Sequence, residues 1–314
     1  AAPGEKTHPR TTFVLALSLF MGGAVGGGLG ALAEYRDRVF RTGDQVRNEL
    51  GVEFIGMLNL LRGGRASGFR RQRDDDPGLR ASGADAASLV SVRDPVLRET
   101  VDSPLSGFAE TLRTTKVACD LVVGNKTPKI VGIVSMLPSE GKTTVSKNLA
   151  SLVSGSEARV LLIDADLRNP GLSRNIDAGN ASGLIDVLHG RSHWRDVLIE
   201  EEETGLHILP TVASRAISHT GDLLSSPRMR SLLTEAGDDY DYIFVDLPPL
   251  GAVVDARAAA HLLDALVFVV EWGKTDRKLV RTTLENDRRL HDMCVGVLFN
   301  KVDPKKMKLY DSYH

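Results

Sequence analysis

Lys129-Ile-Val-Gly-Ile-Val-Ser-Met-Leu-Pro-Ser-Glu-Gly-Lys-Thr-Thr144 is the stretch on which the reading of this chain turns. It begins as an apolar run of strand type, and Val145–Val153 beyond it reads as a helix. Strand, glycine-containing loop, Lys-Thr and helix is the pattern of a phosphate-binding loop. A triphosphate needs converging backbone N–H groups, a cation for its outer phosphates and a hydroxyl for Mg²⁺. The amides of Ser139, Glu140, Gly141, Lys142, Thr143 and Thr144 supply the first, Lys142 the second and Thr143 the third. Thr144 is placed for the innermost phosphate, and Pro138, with no N–H, must precede the cradle. The usual pattern G-x-x-x-x-G-K-[ST] has glycine where this chain has Met136.

Two further apolar runs end in acids. Val160-Leu-Leu-Ile-Asp164-Ala-Asp166-Leu-Arg168 carries two carboxylates whose spacing sends both the same way if the strand persists. Tyr242-Ile-Phe-Val-Asp246-Leu-Pro-Pro249 repeats the design. Acids at strand ends suit Mg²⁺ held on phosphates, and one of them could instead take a proton from an attacking hydroxyl. Other strand-type runs fall at Leu206–Pro210, Ala265–Val270 and Val295–Asn300, and Arg159 opens the run ending at Ile163. Helical patterns at Ser225–Ala236, Ala256–Leu263 and Asp276–Leu290 separate most of them. This alternation predicts an α/β fold with a mainly parallel sheet flanked by helices, binding its ligand at the carboxyl ends of the strands.

The chain has 314 residues and a formal net charge of −2, so no global field points to nucleic acid. Cys119 and Cys294 lie far apart and form no metal pattern, as expected of reduced thiols. Thr11–Ala33 carries no charge, and at about 1.5 Å per residue it reaches about 34 Å, enough to cross a bilayer core. A buried soluble helix and a cleaved signal peptide are the competing readings. Arg36, Arg38, Arg41 and Arg47 follow it, against Lys6 and Arg10 before it, which places the C-terminal side in the cytoplasm.

These boundaries divide the chain into an extramembrane tail (1–10), a transmembrane helix (11–33), a juxtamembrane segment (34–61), a flexible linker (62–91), a P-loop domain (92–303) and a C-terminal tail (304–314). Within the second of the outer pieces, Thr42–Leu50 reads as a short helix ended by Gly51, followed by an apolar stretch over Val52–Leu61. The linker's Arg70-Arg-Gln-Arg73 meets Asp74-Asp-Asp76 in a Gly- and Ser-rich context. Ser103 and Pro104 are placed as N-cap and first residue of a helix running to about Val123.

Taken together, P-S-E-G-K-T-T, L-L-I-D-A-D-L-R-N-P and F-V-D-L-P-P resemble the Walker A, Walker A′ and Walker B motifs of bacterial tyrosine kinases. In that family they belong to the cytoplasmic parts of polysaccharide co-polymerases, on a P-loop fold of the partition-ATPase-like superfamily. The resemblance implies ATP and Mg²⁺ as cofactors. It makes Lys142 the holder of the β/γ-phosphates, Asp164 the base for the tyrosine hydroxyl, and Thr143, Asp166 and Asp246 the metal ligands, directly or through water. Asn300 falls where relatives touch adenine, and Glu110-Thr-Leu-Arg113-Thr-Thr-Lys116 resembles the family's ring-assembly helix E-x-x-R-x-x-R. Lys116 in place of Arg keeps the charge but loses the bidentate fork. Family members carry two transmembrane helices flanking a periplasmic domain, and this chain resembles the second helix plus the kinase.

The resulting expectation is an autokinase at the bacterial inner membrane. It phosphorylates Tyr310 and Tyr313 in trans within a homo-oligomeric ring, and it works with polysaccharide polymerase and export proteins. The sparse tail leaves a second reading open, a nucleotide-gated membrane scaffold with little kinase activity. A partition-type ATPase fits less well, because Leu137 stands where those proteins carry a signature lysine.

Overall fold

The computed structural model describes residues 11–36, 38–61, 88–90, 94–176, 182–212, 219–251 and 255–311. In chain order the elements are α1 (Thr11–Arg36), α2 (Gly43–Leu50), β1 (Phe54–Asn59), β2 (Ser88–Val90), α3 (Glu99–Asp102), α4 (Gly107–Val123), β3 (Lys129–Ser135), α5 (Lys142–Ser154), β4 (Val160–Asp164), α6 (Leu184–His189) and β5 (Ile199–Glu201). They continue with β6 (His207–Leu209), α7 (Thr220–Leu224), α8 (Pro227–Ala236), β7 (Tyr242–Asp246), α9 (Asp255–Ala259), β8 (Ala265–Glu271), α10 (Arg277–Glu285), α11 (Arg288–Asp292), β9 (Cys294–Val302) and α12 (Pro304–Asp311).

Among the described residues, nine strands form one sheet in the order β1-β9-β8-β3-β7-β4-β6-β5-β2. Its pairs are parallel apart from β5 with β6. The central strands are apolar between their polar ends because both faces are covered. On β8, Val267 and Val269 join the cluster under α4 and α5, with Leu112 and Leu149. Leu266, Phe268 and Val270 join the opposite cluster, with Val46, Leu232 and Val280 from α2, α8 and α10. Between β3 and its two neighbours the chain order reverses: β4 lies beyond β7 on one side and β8 on the other. This switch point opens the crevice in which the phosphate loop sits.

Several boundaries differ from expectation. Residues 38–61 are built into the domain: β1 pairs with β9 as an edge strand, and Phe40, Val46, Leu50 and Leu58 are buried. Interspersed charges hid part of this, since Phe40, Val46 and Leu50 each stand next to a charged residue. Ser88–Val90, inside the expected linker, pairs with β5, while the rest of 62–91 and the tail 1–10 lie outside the described residues. The helix expected from Ser103 starts at Gly107, because Ser103 closes α3 through its N–H to the Glu99 carbonyl at 2.8 Å. Ser106 caps α4 instead, accepting from Ala109 N at 3.2 Å. The helix expected over Asp276–Leu290 divides in two, because Asp287 accepts from Leu290 N at 3.3 Å and starts α11. The helix over Ala256–Leu263 ends as α9, the chain tightening into a 3₁₀ turn at Ala260–Leu262. The tail is helical over Pro304–Asp311, and Met307 packs against the core.

The apolar window Phe13–Gly30 of α1 is not buried at all within the structure. Leu19 is 81% exposed and Phe20 74%, which excludes the reading of α1 as a core helix of the domain.

Candidate functional site

Three parallel strands deliver the site. β3 ends at Ser135 and the chain turns through residues 136–141 into α5. Register places Ile133 and Asp164 both beside Asp246, so the ends of β4 and β7 stand next to the loop. The turn needs left-handed backbone at Ser139 (φ 65°) and Gly141 (φ 95°). A Cβ on Gly141 would stand 2.1 Å from Asn300 Nδ2. Asn300 is buried, and that amide donates to the Glu140 carbonyl at 2.8 Å. It supports the phosphate loop from beneath. The Glu140 side chain is also taken up by the protein. It accepts from Leu137 N at 2.7 Å and from the Thr275 hydroxyl, and burial raises its carboxyl above the usual range. The amides at the start of α5 have no intrahelical acceptors, and the helix dipole adds to their attraction for an anion.

Lys142 Nζ lies 3.0 Å from Asp166 Oδ2 and 3.4 Å from Asp246 Oδ1. Thr143 Oγ1 donates to Asp246 Oδ2 at 2.6 Å, and Ser146 Oγ donates to Oδ1 at 3.2 Å. Asp164 Oδ2 accepts from Ser173 N at 2.9 Å and from Ser173 Oγ at 2.6 Å. Asp164 Oδ1 is buried and has no hydrogen-bond partner among the described residues. Three carboxylates thus gather around one ammonium. Burial, and next the charge of Asp246, push Asp164 up to about 7. Burial also raises Asp246, with Lys142 opposing and Asp166 adding to the shift. Burial works against the Lys142 ammonium, but the charges of Asp246 and Asp166 outweigh it and raise its pKa overall. The surplus of acid is the signature of a site built for a further cation.

The donor set fits a nucleotide with a divalent ion. Thr143, Asp166 and Asp246 would hold the ion with hard oxygens, and Lys142 with the loop amides would hold phosphates. A cleft of about 410 Å³ opens over Ser139, Gly141, Lys142, Thr143, Thr144 and Asp166, within the size range of small-ligand sites. Asp166 lines this cleft, whereas Asp164 and Asp246 lie in the wall below it. No sequence pattern points to Ser173, nine residues past Asp164, or to Thr211, whose N–H donates to Ser173 Oγ at 2.8 Å. Ser146 was findable, since it stands one helical turn after Lys142. Arg168 also lines the cleft, held by Asp255 at 2.8 Å.

The other expected site residues lie elsewhere. Glu110 and Arg113 pair at 3.0 Å on the surface of α4, and Arg113 also donates to the Pro104 carbonyl at 2.7 Å. Lys116 pairs with Asp120 at 2.6 Å and stands over the Tyr242 ring. Tyr310 falls in α12 with its side chain outside the described residues, and Tyr313 lies wholly outside them. Both cysteines are free thiols, and burial pushes each up to about 12.

A family model described as an AAA domain matches residues 129–272. The succinoglycan biosynthesis transport protein ExoP of Rhizobium meliloti is 36% identical over 99% of this chain and 40% of its own length. The tyrosine-protein kinase CpsD of Streptococcus agalactiae is 30% identical over 68% of this chain and 93% of its own length. The kinase domain of the Escherichia coli tyrosine kinase ETK superposes with a TM-score of 0.67 at 25% identity, covering 84% of this chain and 95% of that one. The chain therefore spans about two fifths of the longer relative and nearly all of the shorter. A nucleotide-binding P-loop fold with these relatives has one reading: the chain belongs to the bacterial tyrosine-kinase family.

Proposed function

We propose that this chain is an ATP- and Mg²⁺-dependent protein-tyrosine autokinase of exopolysaccharide or capsule biosynthesis. It is anchored by α1 in the bacterial inner membrane with its kinase domain in the cytoplasm. The observation that carries this reading is the cluster of Asp164, Asp166 and Asp246 around Lys142 beside a phosphate loop, in a chain related to tyrosine kinases. Bound Mg-ATP would supply the phosphoryl group and neutralise its charge. The protein's part is positioning. Lys142 and the loop amides hold the outer phosphates, and Thr143 supplies a hydroxyl for the ion. Asp164, pushed up to about 7, is poised to accept the tyrosine proton on its unpartnered Oδ1. Asn300 steadies the loop.

Tyr310 and Tyr313 are the proposed acceptors, offered to a neighbouring protomer in a ring assembled through Glu110, Arg113 and Lys116. Polysaccharide polymerase and export proteins are its proposed partners. Phosphorylation of the tail adds negative charge and loosens that ring. The test is mass spectrometry after incubation with Mg-ATP, beside Lys142→Met. Phosphate on Tyr310 or Tyr313 that vanishes in the variant is expected. Full ATP binding with no phosphotyrosine in either sample would favour the scaffold reading.

A further inference from the structure

The chain leaves α1 at Arg36 and is sewn to the domain within a few residues. The Arg38 carbonyl accepts from Arg277 N at 2.8 Å, and Val39 bridges Asp276 antiparallel. Phe40 N donates to the Thr275 carbonyl at 3.3 Å, and the Phe40 carbonyl accepts from Gly273 N at 2.9 Å. Trp272 Nε1 closes the seam on the Arg41 carbonyl at 3.0 Å. Consecutive Cα atoms are about 3.8 Å apart, so that of Arg38 lies within about 7.6 Å of that of Arg36, whatever angle α1 takes. The first turn of α10 is therefore held beside the end of the apolar helix by this covalent tether and the hydrogen bonds of the seam.

A groove of about 640 Å³ opens at this seam, lined by Arg38, Glu49, Asp276, Arg277, Lys278 and Arg281. Both of its acids are engaged. Asp276 Oδ1 accepts from Leu279 N at 3.1 Å as the cap of α10, and Glu49 Oε1 accepts from Arg277 Nη1 at 2.7 Å. Arg38 and Lys278 are exposed, and the Arg281 side chain is 43% exposed with Glu285 no closer than 3.9 Å. The N-terminal end of α10 adds its own positive potential. The net charge of the whole chain is −2, so this cationic face is a local arrangement.

We propose that the face formed by Arg38, Lys278 and Arg281 rests on the phosphodiester head groups of an anionic bilayer at the exit of α1. The proposal rests on α1 spanning the membrane. Charge complementarity selects the lipid, and the tether keeps it at high effective concentration, so a few cations suffice. The contact fixes the orientation of the kinase domain. The same seam reaches the nucleotide site, because Thr275 donates to Glu140 of the phosphate loop.

The test uses the full chain in nanodiscs of phosphatidylcholine, alone or with about 30% phosphatidylglycerol. Hydrogen exchange is followed in α1, in α10 and in the central strands. The expected result is α10 exchange slowed about fivefold by the anionic lipid. The slowing should be lost at about 1 M salt and in Lys278→Glu/Arg281→Glu. Protection of β3 and β8 reports whether that variant folds; Lys278→Gln/Arg281→Gln replaces it if those strands lose protection. Equal α10 exchange in both discs, with α1 protected in both, would overturn the lipid face and leave the spanning reading standing. An unprotected α1 would overturn both.

Discussion

Helix α5 carries two buried lysines, Lys142 and Lys147, and their surroundings are opposite in kind. Lys147 Nζ has one acid, Glu201, at 2.7 Å, and donates also to Ser151 Oγ at 2.7 Å. Glu201 accepts in turn from Ser151 and Thr204, so charges and hydrogen bonds close on themselves. Burial there lowers the lysine's proton affinity, against the pull of Glu201. Lys142 faces three acids, its proton affinity is raised, and one buried carboxylate oxygen has no partner among the described residues. Burial of charge alone therefore does not mark function. A balanced pair fastens α5 to β5, while an unbalanced cluster five residues earlier awaits a cation and an anion.

The sharpest way to break this contrast is Lys147→Met. It strands Glu201 in the core, and urea unfolding should lose about 3–5 kcal/mol. Lys147→Met/Glu201→Leu should recover most of that loss. A double variant no more stable than the single one would show that the pair does more than balance itself. The opposite sign is expected at the other cluster. Folded Asp164 holds its proton up to about 7, against an ordinary 3.8 for an unfolded Asp. The stability linked to this proton is complete below the unfolded value and is lost as pH rises through about 7. Asp164→Asn should therefore stabilise the fold at pH 8 by on the order of 4 kcal/mol and change little at pH 4. Equal effects at both pH values would refute the buried-acid account.

Ser173→Ala gives the smallest effect. It removes one of the two Ser173 donors to Asp164 Oδ2, the backbone N–H remaining, takes the acceptor from Thr211 N, and should cost about 1–2 kcal/mol. Because that hydroxyl lowers the Asp164 value, its loss should move the pH midpoint of activity upward. An unchanged midpoint would leave Ser173 a purely structural residue.

How much of this was legible in the sequence follows from how each feature is encoded. The phosphate loop and the acids at 164, 166 and 246 are written as contiguous apolar runs with polar ends, and β3, β4 and β7 follow those runs closely. Lys147 and Glu201 are 54 residues apart, with no local pattern linking them. The Thr275 bond to Glu140 and the Ser173 bond to Asp164 arise only when distant loops meet. The edge strand β1 showed in the sequence only as an apolar stretch, because the strand it pairs with, β9, lies at the far end of the chain. The bond of Asn300 to Glu140 is a support of the loop that only the folded strand β9 brings into place.

The most direct test of the unbalanced cluster is the rate of tail phosphorylation against pH at saturating Mg-ATP, in the wild type and Asp164→Asn. The expected result is a wild-type rate that climbs with pH as Asp164 loses its proton and then levels, with a variant that is slow throughout and lacks that step. A wild-type rate flat from about pH 6 to 8, matched by an equally active Asp164→Asn, would contradict it.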